Sequence, residues 1–121
     1  MRRHVARRAP LEACGLLAGN DCRVEIVLPI ANAVQSRVRF RMEPLVQLRA
    51  FDWIETHGLE LVGIFHSHPT GPGTLSQIDF DEAAYPVAQV IWSRHGKGWQ
   101  ARGFWIELDQ ATEILLQIIE S

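Results

Sequence analysis

Two histidines followed by an acid stand at a spacing that suits one metal ion. His66 and His68 flank a single serine ahead of Pro69, and ten residues separate His68 from Asp79. If the chain is extended at the histidines, both side chains point to the same side, because side chains along a strand repeat with a period of two. A loop rich in proline and glycine then turns the chain back towards them. The spacing therefore predicts that His66, His68 and Asp79 bind one metal ion.

The predicted ligand set is typical of a catalytic zinc site. Two imidazoles and one carboxylate leave the fourth tetrahedral position of Zn²⁺ open for water. Zinc would lower the pKa of that water towards about 7 and polarise a carbonyl, as hydrolysis of a peptide bond at neutral pH requires. A general base is still needed, and spacing alone does not choose among Glu12, Glu25, Glu43 and Glu60.

Ser76 has two interpretations. The segment from Ser76 to Asp79 matches a capping box, in which a serine and an acid three residues later stabilise the start of a helix. The two histidines upstream favour a metal site as well, and one serine can serve both roles because its backbone and its hydroxyl are separate groups. The remaining histidines stand in no such pattern and are expected to be structural; they are His4, His57 and His95.

Helices and strands that could position these residues alternate along the chain. We expect helices at 3–9, 44–57 and 76–84, and strands at 13–18, 23–28, 37–42, 59–65, 87–92 and 99–108. Residues 112–119 suit either a helix face or an edge strand. The run 59–65 is almost wholly apolar, which is typical of a central strand covered on both faces. The predicted fold class is therefore α/β, with a mixed β-sheet and helices packed on its faces.

The same pattern predicts the surroundings of several side chains. A hairpin turning at 19–21 would place Cys14 opposite a residue near Ile26 rather than opposite Cys22, so no disulfide is expected. On the helix at 44–57 an apolar stripe is expected, formed by Val46, Ala50, Trp53 and Ile54. Of the tryptophans, Trp53, Trp92 and Trp105 are expected in the core and Trp99 nearer the surface.

Composition limits the class of protein. With 121 residues, of which 47% are hydrophobic and 21% charged, the chain is expected to form a single domain over residues 1–121. A formal net charge of -2 argues against nucleic acid as the main partner. Apolar runs fall well short of the roughly 18 residues that a membrane span needs. Because the arginines of the first ten residues precede no apolar stretch typical of a secretory signal, a cytoplasmic protein is expected.

The string that contains His66, His68, Ser76 and Asp79 resembles the signature of the JAMM metalloproteases, also called MPN-plus or JAB-domain proteins. The segment 12–19, which begins with Glu12, is similar to the first strand of that family, which opens with the catalytic glutamate. The resemblance covers roughly residues 10–104, and the metal motif matches without a gap or a substitution. It implies a JAB/MPN-like fold with a cytidine-deaminase-like architecture.

The resemblance also implies a role for each residue of the motif. His66, His68 and Asp79 would bind zinc, Glu12 would deprotonate the zinc-bound water and pass the proton to the leaving amine, and Ser76 would stabilise the oxyanion. Residues 30–58 leave no room for the long insertions by which eukaryotic members recognise ubiquitin chains. The chain therefore resembles compact prokaryotic members, whose substrate is a ubiquitin-like or sulfur-carrier protein cleaved after its C-terminal Gly-Gly tail.

Other functions are also compatible with parts of the pattern. A JAB-type partner-binding module, in a RadC-like or phage-tail context with a vestigial metal, is one alternative, although RadC-like proteins usually carry Asn where Ser67 stands here. A zinc nucleobase deaminase is disfavoured because its H-x-E and P-C-x-x-C motifs are absent. The alternating arginines at 37, 39 and 41 suit a solvated strand face, or one wall of a groove that takes an extended carrier tail by strand addition.

Overall fold

In the described part of the chain, six strands form one mixed sheet, and two helices accompany it. The computed structural model describes residues 1–9, 11–21, 23–32, 42–69, 73, 87–107 and 110–116. In chain order the elements are α1 (Arg2–Arg8), β1 (Cys14–Asn20), β2 (Arg23–Ile30), α2 (Pro44–Thr56), β3 (Glu60–His68), β4 (Ala88–His95), β5 (Gly98–Glu107) and β6 (Gln110–Ile114). The strand order is β2-β1-β3-β4-β5-β6, with β3 and β4 parallel and the other neighbours antiparallel. The predicted α/β fold class with a mixed sheet is confirmed.

The sheet is covered on both faces, as the apolar run at 59–65 predicted. One cluster joins Ile54 of α2 to Leu16 and Ile64 of the sheet, and the other joins Val5 of α1 to Leu17 and Phe65. Neighbouring residues of β1 and of β3 thus belong to opposite clusters, because successive side chains of a strand face opposite sides. β3 lies between the two helices, and its C-terminal residues 63–68 are all buried.

Helix α2 begins and ends where the sequence predicted it would. The carboxylate of Glu43 caps the first turn by accepting a hydrogen bond of 2.8 Å from the amide of Val46, and Pro44 occupies the first helical position, where its missing N–H costs nothing. Gly58 follows the helix with a φ of 68°, in the left-handed region that favours glycine. The cap, the proline and the glycine are all local signals.

Two expectations about side chains are wrong. Cys14 lies opposite Ile30 and not near Ile26, because β1 extends through Asn20, which pairs with Arg23, so the chain turns later than predicted, and because an irregularity follows Ala18. Trp53 and Trp105 are each 37% exposed instead of lying in the core. In α2 the sheet is contacted by Ala50, Phe51 and Ile54, and Trp53, about 100° around the helix from its neighbour Ile54, stacks on His57 instead.

Other expectations are settled in part. Residues 110–114 form the edge strand β6, so the first part of the ambiguous segment 112–119 is a strand, whereas residues 117–119 lie outside the described residues. Cys14 carries a buried free thiol, whereas Cys22 lies outside the described residues. The predicted strand at 37–42, apart from Met42, and the predicted helix at 76–84 also lie outside them, so a single domain over residues 1–121 stays a prediction. In the described part of the chain, no helix is long and apolar enough to cross a membrane.

Candidate metal centre

The two histidines of the motif lie together at the end of the central strand. β3 extends through His68, so the side chains of His66 and His68 share one face of the sheet. Their Nε2 atoms are 3.1 Å apart, and the ring planes are tilted by 59° with centroids 4.9 Å apart. Both residues are buried, with 0% and 6% of their surface exposed. The predicted juxtaposition of the two imidazoles is therefore present.

The pairing of β1 with β3 brings Glu12 to the same point. Cys14 lies opposite His66 in this antiparallel pair, so continuing the register by two residues places Glu12 opposite His68. Because the two positions differ by two residues on each strand, Glu12 points to the same face as the histidines. Its side chain is 1% exposed, and a carboxylate oxygen and the two imidazole nitrogens all lie within 4.8 Å of one another.

These donors fit a divalent metal ion. Neutral imidazole nitrogens and a carboxylate oxygen are ligands that zinc uses, and ligands about 2.0–2.1 Å from a tetrahedral zinc stand about 3.3 Å from each other. The 3.1 Å between the two Nε2 atoms is close to that separation. It also suits a hydrogen bond between the rings if one nitrogen carries the proton. The three groups can thus hold a metal ion.

Glu12 is also the glutamate that the geometry selects from the four that spacing left open. Glu25 and Glu60 are exposed on their strands, and Glu43 caps α2. Only Glu12 of these four joins the histidines in the buried cluster. Residues 54 apart in the sequence meet here, which no local pattern could indicate.

The remaining residues of the motif are outside the part of the chain that the structure describes. Both Asp79, the third predicted ligand, and Ser76, the predicted oxyanion donor, belong to the segment 74–86. Their roles stay predictions. The described cluster therefore contains two of the three predicted ligands and the predicted base.

A buried thiol lies on the same face beside the cluster. Cys14 donates a hydrogen bond of 3.4 Å from its Sγ to the carbonyl oxygen of Ile30. Burial, together with the negative charge of Glu12, raises the pKa of this thiol to about 12, and the positive charge of Arg8 opposes the change. At neutral pH the thiol of Cys14 is therefore protonated and acts as a hydrogen-bond donor.

Two residues that the sequence did not single out contact the backbone beside Glu12. Asn32 donates from Nδ2 to the carbonyl oxygen of Glu12 over 2.9 Å, and the hydroxyl of Ser67 accepts a hydrogen bond of 2.8 Å from the amide of Ala13. Ser67 was visible as the residue between the histidines, but its type alone assigns it no role. Asn32 is 20 residues from Glu12 in the sequence, and no motif marks it.

Comparison with known proteins places this geometry in a family context. Residues 1–107 match the family described as prokaryotic homologs of the JAB domain. The chain is 41% identical over 96 residues to a probable TtuB-protein conjugate cleaving protease of Thermus thermophilus, covering 78% of this chain and 64% of that relative. It is 38% identical over 98 residues to a desampylase of Pyrococcus furiosus, covering 78% and 70%. The chain thus spans less than two thirds of the length of the Thermus relative.

Similarity extends over nearly the whole chain in two further cases. A CysO-cysteine peptidase of Mycobacterium bovis is 30% identical over 121 residues, which cover 97% of this chain and 83% of the relative. The solution structure of a protein from Desulfitobacterium hafniense superimposes with a TM-score of 0.87 at 33% identity, covering 98% of this chain and 86% of that one. The fold of the Desulfitobacterium protein is therefore shared over nearly the whole of this chain.

Proposed function

Since the chain belongs to the prokaryotic homologs of the JAB domain, we propose that it is a zinc metallopeptidase. Its substrate would be a ubiquitin-like or sulfur-carrier protein, hydrolysed at the bond after the C-terminal Gly-Gly tail. The family expected from the motif is confirmed by the match over residues 1–107. The cytoplasmic location expected from the sequence stays a prediction.

The names of the relatives support this substrate class. One relative is named a probable TtuB-protein conjugate cleaving protease, another a desampylase, and a third a CysO-cysteine peptidase. In the first name the conjugate is to a protein, whereas in the third it is to cysteine. We therefore propose that the enzyme recognises the carrier protein. The group attached to the tail of the carrier differs among the relatives, so an assay must compare substrates with different leaving groups.

One observation carries the proposal, namely the burial of Glu12 with His66 and His68. Glu12, His66 and His68 are exposed by only 1%, 0% and 6%. Donor atoms of the three groups lie within 4.8 Å of one another, so an ion held by the two histidines would lie beside the carboxylate of Glu12. A general base next to a metal-held water is the arrangement that hydrolysis of a peptide bond requires.

Each residue has a part in the hydrolysis. When bound, zinc would polarise the scissile carbonyl and lower the pKa of a water molecule towards about 7. His66 and His68 would hold the ion through ring nitrogens, with Asp79 as the third ligand. Glu12 accepts the proton of the attacking water and delivers it to the leaving amine, which is typically worth about 10²- to 10⁴-fold in rate. Ser76 would donate a hydrogen bond to the oxyanion, a contribution of roughly 2.7–4 kcal/mol.

The test uses conjugates of a β-grasp protein that ends in Gly-Gly. Three substrates carry a lysine isopeptide, a cysteine or a linear peptide after the tail, and each is incubated with the zinc-loaded protein and with a chelator. We expect cleavage that depends on zinc. Glu12→Gln should lower kcat by about 10²- to 10⁴-fold and keep its zinc, whereas the matched control Glu25→Gln, at an exposed position of β2, should leave kcat unchanged.

Two outcomes would contradict different parts of the proposal. A Glu12→Gln protein with bound zinc and full activity would show that Glu12 is not the base. Binding of the carrier protein without cleavage of any conjugate, by protein with stoichiometric zinc, would instead favour the partner-binding module.

A further inference from the structure

We propose that Asn32 and Ser67 are positioning residues that orient the general base Glu12. This inference deepens the proposed function, because it rests on the role of Glu12 in that reaction. The side chains of Asn32 and Ser67 hold the two polar groups of one peptide unit, the unit that links Glu12 to Ala13.

Both polar groups of this peptide unit are hydrogen-bonded to buried side chains. Its carbonyl oxygen accepts a hydrogen bond of 2.9 Å from Nδ2 of Asn32, and its N–H donates one of 2.8 Å to Oγ of Ser67. Asn32 and Ser67 are exposed by 1% and 0%, and Glu12 and Ala13 by 1% each. Water therefore does not compete for these bonds, and a peptide plane held at both ends has little freedom to rotate.

At the peptide unit between Glu12 and Ala13, side chains replace backbone partners because regular β-pairing begins only at Cys14. In a hydrogen-bonded antiparallel pair, two opposite residues exchange both of their N–H to carbonyl bonds. Ser67 donates from its amide to the carbonyl of Ala13 over 3.0 Å, but the return bond from Ala13 goes to the Ser67 hydroxyl. On the other side, the pairing of β1 with β2 begins at Cys14 and Ile30, so Asn32 continues it by its side chain.

Asn32 is itself anchored to the start of α2. It forms an isolated antiparallel bridge with Met42, and the preceding carbonyl of Ala31 accepts a hydrogen bond of 2.9 Å from the amide of Glu43. These backbone contacts hold the main chain of Asn32, from which its side-chain amide reaches Glu12. A fixed donor at this place can select one orientation of the Glu12 peptide.

Ser67 links the base to the metal ligands. It lies between His66 and His68 on β3, so the residue that holds the peptide after Glu12 is bonded in sequence to both predicted ligands. The base and the ligand pair thus share one rigid attachment. Misplacement of a catalytic group by about 1 Å can lower a rate about 10²-fold, so this attachment should matter to turnover.

The test compares variants that remove one bond each. Asn32→Leu keeps the branched shape but cannot donate, and Ser67→Ala removes a single oxygen atom, whereas Ser67→Thr keeps the hydroxyl and is the conservative rescue. Asn20→Leu is the matched control, because Asn20 is exposed at the far end of β1. Activity is expressed per folded, zinc-loaded molecule, with KM and zinc affinity measured separately.

We expect kcat to fall while KM and zinc affinity stay nearly unchanged. For Asn32→Leu and Ser67→Ala, kcat should fall by about 10- to 100-fold, while KM and zinc affinity change by less than about threefold. Ser67→Thr and Asn20→Leu should stay near wild type. In the metal-free protein, hydrogen exchange of the Ala13 amide should accelerate by at least about tenfold in Ser67→Ala, because its acceptor is gone.

A double-mutant cycle separates positioning from general destabilisation. If the two residues act through Glu12, adding Asn32→Leu to Glu12→Gln should change the single-turnover rate by less than about twofold. The inference would be overturned if Asn32→Leu lowered the rate of the Glu12→Gln protein as much as it lowers the rate of the wild type. It would also be overturned if kcat were unchanged in both single variants, or if Ser67→Thr failed to restore kcat. Should the rate of Glu12→Gln lie below detection, the kcat and KM comparison and the threonine rescue decide.

Failure of this inference is distinct from failure of the proposed function. Loss of activity in Glu12→Gln together with normal turnover in Asn32→Leu and Ser67→Ala would reject the positioning role alone. A wild-type protein that binds zinc and cleaves none of the three conjugates would reject the proposed function itself.

Discussion

Replacement of Gly15 by alanine should lower the free energy of unfolding, because Gly15 lies against the ring of Phe65 on the neighbouring strand. A Cβ atom added at Gly15 would lie 2.3 and 2.5 Å from two ring atoms of Phe65 and 2.6 Å from the carbonyl oxygen of Leu28. Ordinary van der Waals contacts are about 3.5–4.0 Å, so each neighbour would have to move by about 1 Å. The ring has no room to do so freely, because Phe65 is 0% exposed and His4 packs edge-on against it.

The magnitude follows from these contacts. An extra methyl group in a well-packed core typically costs about 1–3 kcal/mol. We expect the upper end of that range, about 3 kcal/mol, because one of the three close contacts is with backbone. For a chain of this length, about 3–4 °C of Tm corresponds to each kcal/mol, so Gly15→Ala should lower Tm by about 10 °C.

Thermal unfolding by circular dichroism, with two companion variants, gives the measurement. Gly98→Ala is the control, since the nearest atom to its added Cβ is the His95 carbonyl oxygen at 3.8 Å, and its Tm should not fall. Phe65→Leu removes the two clashing ring atoms, so the double variant should lose less stability than the sum of the single ones. A Tm for Gly15→Ala within about 2 °C of wild type, or strict additivity, would refute the packing argument.

Three further predictions concern the thiol, the metal ligands and the helix cap. The pKa of Cys14 rises from 9.0 to about 12 on folding, so the unfolded state loses its proton first and stability should fall from about pH 9 upwards; Cys14→Ala should lessen that fall in alkaline urea titrations. Zinc at about 1,000 times its Kd should stabilise the protein by about 4 kcal/mol, an increase in Tm that a chelator, His66→Ala or His68→Ala should abolish in calorimetry. Glu43→Ala removes the hydrogen bond from the Val46 amide and should cost about 1 kcal/mol in urea unfolding, and an unchanged midpoint would contradict this capping role.

The sequence predicted those features that depend on neighbouring residues. Pro44 and Gly58 bound α2 because the backbone preferences of proline and glycine are local, and the apolar run before His66 identified the central strand. The position of Cys14 opposite Ile30 was missed, since an irregularity and a late turn change the register without altering the alternation of residue types. Trp53 was misplaced because apolar spacing does not fix which part of a stripe faces the sheet.

For the site, the sequence predicted the placement of the two histidines better than it predicted the contacts that hold Glu12. His66 and His68 are two residues apart, so strand geometry alone brings them together. The meeting of Glu12 with them depends on pairing between distant strands, and only the family resemblance selected it. Asn32 and Ser67 contact the backbone and not a reacting group, so no chemical motif could have indicated them.

The alignment of β1 against β3 has a consequence for how this protein can change by insertion or deletion. Cys14 lies opposite His66, and the residues of β1 from Cys14 to Leu17 pair with β3 in one antiparallel register without a shift. One residue gained or lost between Glu12 and Leu17 would turn the carboxylate to the opposite side of the sheet, away from the two histidines. Length changes at the hairpin tip near Asp21 would leave that alignment intact, so we expect natural and engineered variation in length to concentrate there.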